Sequence, residues 1–162
     1  MTTWATVTLV LATLTVGLTA GIFATFALSV MRGLGRSSDA TFVEAMRRIN
    51  AEVANPLFVV CALGGVAFPL LSLFFTVRGY PGGSPGRDPV GWVIAGLVLY
   101  GLSVLVTLLV NAPLNAALAA DPKADPSVAR ASFERRWVQF NTVRTVAATG
   151  AFACLSWALH VS

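Results

Sequence analysis

The residues best suited to chemistry in this chain are amides and one arginine. Five asparagines, Asn50, Asn55, Asn111, Asn115 and Asn141, accompany Arg144, a lone cation in an otherwise charge-free stretch. Asn111 and Asn115, four residues apart, share a helix face. Phe133, Trp137, Asn141, Arg144 and Ala148 step by three or four and form one stripe on another helix. Arg144 follows Trp137 at a distance of roughly 10 Å along a helix that rises 1.5 Å per residue. An arginine at the centre of a membrane helix costs about 2.5–3.5 kcal/mol, so it needs a partner or a water-filled cavity, and asparagine carbonyls are the nearest candidates. Other chemistry is missing. His160 is the single histidine and stands third from the end, which leaves no His-rich metal centre. No Ser-His-Asp set, Cys-His pair, phosphate loop or dinucleotide fingerprint occurs. Each polar residue also has a plainer use: Asn55 as a helix cap, Asn50 as the end of a surface helix, Asn111 and Asn115 as partners for carbonyls freed by Pro113. Trp137 could serve an interfacial belt and Arg144 could snorkel. Their convergence from four separate segments is what favours a site.

The elements that position these residues are helices in lipid. Hydrophobic residues make up 56% of the chain and charged ones 11%, under half of the roughly 25% a soluble domain carries. Mean hydropathy is +0.77. Residues 1–31, 53–77 and 89–120 contain no Asp, Glu, Lys or Arg, and 137–162 contain only Arg144. A span needs about 20 apolar residues, so each run holds one helix. The fold class is therefore an all-α membrane protein: a four-transmembrane-helix bundle, a single domain over 1–162, with spans about 3–31, 56–77, 90–118 and 136–160. A signal peptide is the alternative for 1–31, but the run lacks a basic start and exceeds the roughly 7–15 residues of a signal's apolar region. Cys61 and Cys154 fall inside spans and read as packing residues.

The loops after spans 1 and 3 carry Arg32, Arg36, Arg47, Arg48, Lys123, Arg130, Arg135 and Arg136, against Arg78 and Arg87 after span 2. This excess is a topology signal, not a nucleic-acid one. It predicts a multi-pass protein of the cell membrane with loops 1 and 3 cytoplasmic and both termini outside. Between spans 1 and 2, Phe42, Ala45, Met46, Ile49 and Val53 recur at helical spacing, with Arg47 and Arg48 on the opposite side. A short cytoplasmic amphipathic helix over about 38–53 follows, capped by Ser38 or Asp39. Asn55-Pro56 and Asp125-Pro126 are cap-plus-proline starts. Pro69 should kink span 2, Pro113 should interrupt span 3, and Arg78 to Pro89 reads as an outer loop. Gly17 and Gly21 form a GxxxG pair suited to packing within the chain, and leave a homo-oligomer open.

The string F-x-x-A-M-x-x-I-N with N-P-x-F soon after (Phe42 to Phe58), then N-A-P-L-N (Asn111 to Asn115), then W-x-x-F-N-x-x-R (Trp137 to Arg144), resembles the anthrone oxygenase-like family of four-span membrane proteins. The likeness covers nearly the whole chain. It implies an oxygenase of the monooxygenase type, associated in that family with polyketide pathways of secondary metabolism, that oxidises an anthrone to an anthraquinone with dioxygen. The partners implied are the lipid bilayer, dioxygen and a small aromatic or phenolic substrate; nucleic acid is not among them. The histidines sometimes invoked in that family are missing from this polar end, so the likeness implies no His-based mechanism here. A cofactor is left unassigned and a metal open. An anthrone-like carbon acid gives an enolate that reacts with dioxygen directly, so the protein would supply a dry aromatic slot, a base and donors for the enolate oxygen. Under that resemblance Arg144 and Asn141 stabilise the oxyanion, and Asn111 and Asn115 orient it. Trp137, Phe133 and Phe58 stack on the rings, with Asn50 beside them; Glu52 is the nearest base. Two other classes remain: a non-catalytic scaffold or assembly factor, and a small transporter, which would be expected to carry an acidic residue in span 1.

Overall fold

Charge-free sequence turns into helix wherever it is long enough, because lipid offers backbone groups no other partner. The structure, a computed structural model, describes residues 2–53, 55–79 and 89–162. Helix α1, Thr3–Leu34, is capped by Thr2, whose Oγ1 accepts from Ala5 N at 3.3 Å. Its buried Thr8, Thr15 and Thr19 each donate to the carbonyl four residues back at 2.8–2.9 Å, so they need no other partner. Phe26–Val30 widen into a π turn, and the helix runs beyond the span of about 3–31 read from the sequence, through Arg32 and Gly33, to Leu34.

Helix α2, Asp39–Val53, is the amphipathic element. Ser38 caps it, accepting from Thr41 N at 3.2 Å. The next three helices are α3, Pro56–Gly79, α4, Pro89–Ala120, and α5, Pro126–Val161. Asn55 caps α3 by accepting from Phe58 N at 3.0 Å, and its amide donates to Glu52 O at 3.1 Å, joining α2 to α3. Asp125 caps α5, accepting from Ser127 N at 2.8 Å. With α1 these make four helices, among the described residues, long and apolar enough to cross a membrane. Pro69 lies inside α3. Pro113 does not break α4: it cannot donate to Leu109 O, and a π turn over Thr107–Asn111 carries the helix into Ala112–Ala120. Of the outer loop read from the sequence, Arg78 to Pro89, Arg78 instead lies in the last turn of α3 and Pro89 begins α4; residues 80–88, with Arg87, lie outside the described residues.

The bundle packs α1 against α3 and α5, and α5 against α4; the α3–α4 seam is the least filled. Leu9, Val16, Val93, Tyr100, Ala151 and Leu155 form the central core. A Cβ on Gly17 would stand 2.8 Å from Phe152 Cε2, so this glycine seats α5 on α1, whereas nothing lies within 4 Å of the same position on Gly21. Trp4, Trp92 and Trp157 are exposed at the end away from α2, as an interfacial belt requires.

Helix α2 roofs the other end. Phe42, Val43 and Met46 pack on Met31, Leu118, Phe133 and Trp137, so the apolar face meets the bundle rather than lipid. Two arginines fasten it. Arg130 donates to Gly35 O, Ser37 O and Asp39 Oδ1 at 2.9–3.0 Å and lies over the Phe42 ring. Arg47, expected on the solvated face, instead donates to Leu118 O at 2.8 Å and Asp121 O at 2.6 Å. It thereby satisfies carbonyls at the open C-terminal end of α4. Arg48 alone keeps the solvated role, paired with Glu44.

Candidate functional site

Beneath α2 lies a cavity of about 230 Å³ to which all five helices contribute. Its walls are Ile22, Phe23 and Phe26 of α1, Asn50 and Val53 of α2, Phe58 of α3, Thr107, Ala112 and Asn115 of α4, and Trp137 and Arg144 of α5. Aromatic rings and aliphatic groups dominate, with a few polar groups between them, the usual make-up of a small-molecule site.

Arg144 is 6% exposed and turned inward, so it does not snorkel. Its Nε donates to Asn141 Oδ1 at 3.0 Å and its Nη1 to Thr107 Oγ1 at 3.4 Å. Thr107 can accept because its own proton goes to Ser103 O, at 2.9 Å. The guanidinium carbon lies 4.1 Å from the Phe23 ring centroid and 5.2 Å from that of Trp137. Aromatic faces attract the cation, but they supply no negative charge. Among the described residues the ion pairs are Arg48–Glu44, Arg130–Asp39 and Arg130–Glu134, none involving Arg144. A buried cation held by neutral groups is left ready for an anion.

Trp137, 1% exposed, is built into the site and not into a belt. Its Nε1 donates to Asn115 Oδ1 at 2.8 Å, and its backbone carbonyl accepts from Asn111 Nδ2 at 3.2 Å. Phe26 packs on one side of its ring, at 5.5 Å between centroids, and Phe133 stacks at 5.9 Å. The asparagines therefore divide into two ranks. Asn50 and Asn115 line the cavity, and the buried Asn50 Nδ2 has no partner among the described residues. Asn111 and Asn141 stand behind it, holding Trp137 and Arg144; Asn141 also donates to Phe23 O at 3.3 Å. Phe133 is placed in the roof against Phe42, away from the cavity wall. Phe58 lines the cavity, edge-to-face with Phe23.

Asn55 is the cap described above. Glu52, the base suggested by sequence position, is exposed and is not among the lining residues, so no carboxylate of the described chain lines the cavity. The lining residues missed from sequence include Phe23, Phe26 and Thr107. Thr107 had a signal, since Ser103, Thr107, Asn111 and Asn115 climb α4 in steps of four. Both π turns fall at this level and supply Phe26, Thr107 and Asn111; such turns concentrate at functional sites.

No curated protein and no solved structure matches the chain. A family model described as anthrone oxygenase matches residues 42–154, from the first buried residue of the roof into the last third of α5. The match covers well over half of the sequence and includes every cavity residue outside α1. On that match, the chain belongs to the anthrone oxygenase family.

Proposed function

We propose that this protein is a membrane-embedded monooxygenase that converts a small anthrone-like aromatic ketone to the quinone at the roofed end of the bundle. The reaction consumes dioxygen at an activated CH2 group: the carbon acid loses a proton to give its enolate, and dioxygen adds to that carbon. The resulting hydroperoxide eliminates water, leaving a new carbonyl, so one oxygen atom enters the product and the other leaves as water. The observation that carries the proposal is Arg144, a buried cation with no carboxylate partner among the described residues, facing an aromatic slot. Family membership supports an oxygenase-like relationship.

In this scheme Arg144 holds the enolate oxygen, Asn50 and Asn115 donate beside it, and Phe58, Phe26 and Trp137 sandwich the rings. Asn141 and Thr107 aim the guanidinium; Asn111 fixes Trp137. Easing ionisation by three pKa units amounts to about 4 kcal/mol, at roughly 1.36 kcal/mol per unit. A cation and amide donors fixed in a dry site are of the right kind for that. With no lining carboxylate, the proton passes to water at the cavity mouth. The basic loops make the roofed end cytoplasmic in this proposal, with both termini outside.

The test is oxygen uptake with anthrone on membranes holding matched amounts of protein. Arg144→Lys keeps the charge but loses the planar fork, and should reduce turnover by about 10²–10³, the usual loss for one oxyanion donor. Near-full activity in Arg144→Lys would remove Arg144 from the chemistry. No uptake by wild type with any such substrate would favour a scaffold instead.

A further inference from the structure

A second chamber of about 240 Å³ lies between α3 and α4, along the least filled seam of the bundle. It shares Phe23, Phe58 and Thr107 with the cavity under the roof, so the two chambers meet at the Phe23–Phe58 ring pair. Its outer lip is formed by Leu63 of α3 and Leu108 of α4, which are 65% and 60% exposed on the lipid-facing surface.

The chemistry of the wall specifies what can pass. Four hydroxyls reach the chamber, and every one has its proton committed inside the protein. Thr19 donates to Thr15 O, Tyr100 to Ala62 O, Ser103 to Arg144 O and Thr107 to Ser103 O. A polar or charged visitor would find no free donor and would lose its hydration without replacement. A neutral apolar one loses nothing. Beyond the ring pair, donors stand without a partner among the described residues: Asn50 Nδ2, and the N–H groups of Arg144 left over from its bonds to Asn141 and Thr107. Polarity therefore rises in one direction, from lipid to Arg144.

We propose that this chamber is a lateral entrance through which a neutral, lipophilic aromatic molecule leaves the bilayer between Leu63 and Leu108. It passes Phe58 and Phe23 and becomes an anion only on reaching Arg144. The naming of an anthrone-like ketone rests on the oxygenase proposal; the passage itself does not. An anion could not take this route, because charge in an apolar wall is heavily penalised. Ionisation is thereby tied to arrival, and no enolate forms where dioxygen could meet it outside the site.

The experiment uses the full chain in phosphatidylcholine nanodiscs with benzophenone, a neutral aryl ketone that inserts into C–H bonds on illumination. Labelled peptides are mapped by mass spectrometry. Wild type should be labelled at the inner residues Val66 and Tyr100, as well as at lipid-facing Val98. Ala62→Phe fills the chamber from α3 and Val104→Phe fills it from α4, so either can serve if the other does not fold. In both, inner labelling should be lost while Val98 labelling persists. Absence of inner labelling in wild type, or its persistence in a folded plug variant, overturns the entrance. Anthrone-dependent oxygen uptake is measured in parallel. Its loss in the plug variants links the passage to turnover, and its preservation there overturns that link. A wild type that labels internally but never consumes oxygen refutes the oxygenase proposal and leaves the entrance standing.

Discussion

Replacing Arg144 by Met separates a functional cation from a structural one. The substitution keeps a long unbranched stem and removes the charge, so it should improve the insertion energy of α5. An arginine at mid-span costs about 2.5–3.5 kcal/mol, which is the gain available. Against it stand the losses the geometry defines. Asn141 Oδ1 is left without its donor, costing about 1–3 kcal/mol as a buried orphan acceptor. The contacts over Phe23 and Trp137 also go, at about 0.5–2 kcal/mol in all. The two sides nearly cancel, and the net change in stability should fall within about 2.5 kcal/mol of zero. Combining it with Asn141→Leu removes the orphan and should bring the stability back up. The assay is reversible unfolding in mixed micelles, followed by circular dichroism, beside oxygen uptake on the same preparation. Intact stability with abolished uptake is the expected outcome. A loss of about 3–5 kcal/mol, the value for breaking a buried ion pair, would show Arg144 to be structural and refute the reasoning.

Arg47→Ala strips the donor from the Leu118 and Asp121 carbonyls; it should lower stability by about 1–2 kcal/mol and speed hydrogen exchange across α2 and the end of α4. Glu52→Gln should leave oxygen uptake unchanged, since Glu52 is exposed and away from the cavity; a large loss in kcat would restore it as the base. Hydrogen bonds from the Ser127 hydroxyl and from the Ser127 and Val128 amides hold the Asp125 carboxyl below its ordinary value of 3.8. Its contribution to the start of α5 is therefore complete above that value and is lost as pH falls through the lowered one. Asp125→Asn should remove this acid-dependent part of a thermal unfolding series, and an unchanged pH profile would contradict the assignment.

Much of this arrangement was legible because membrane insertion writes strong signals. Charge-free runs gave the spans, and the period of Phe42, Met46 and Ile49 gave the roof helix with its apolar face. The cost of a mid-span arginine pointed to a polar site around Arg144, and Asn141 proved to be its partner. What escaped depends on tertiary geometry. The rotation of α4 and α5 decides that Asn115 and Trp137 face the cavity while Asn111 and Asn141 stand behind. No residue pattern fixes that rotation. The π turns alter it further, and nothing in F-A-L-S-V announces one. Arg47 looked solvated because its partner lies 71 residues away. Phe133 shares a stripe with Arg144, but α2 covers it. Aromatic residues in α1 look like ordinary lipid-facing sequence, so Phe23 and Phe26 carried no signal at all.

The most direct measurement follows isotopically heavy dioxygen into the product. Membranes with wild type, membranes with Arg144→Lys and membranes lacking the protein receive anthrone under labelled gas, and the quinone is analysed early, before its carbonyl exchanges with water. If the proposal holds, wild type forms quinone carrying one heavy atom at its new carbonyl, far above the protein-free rate, and Arg144→Lys falls back toward that rate. Equal labelled yield in all three samples would mean that the quinone forms by spontaneous oxidation, and the site around Arg144 would have no part in it.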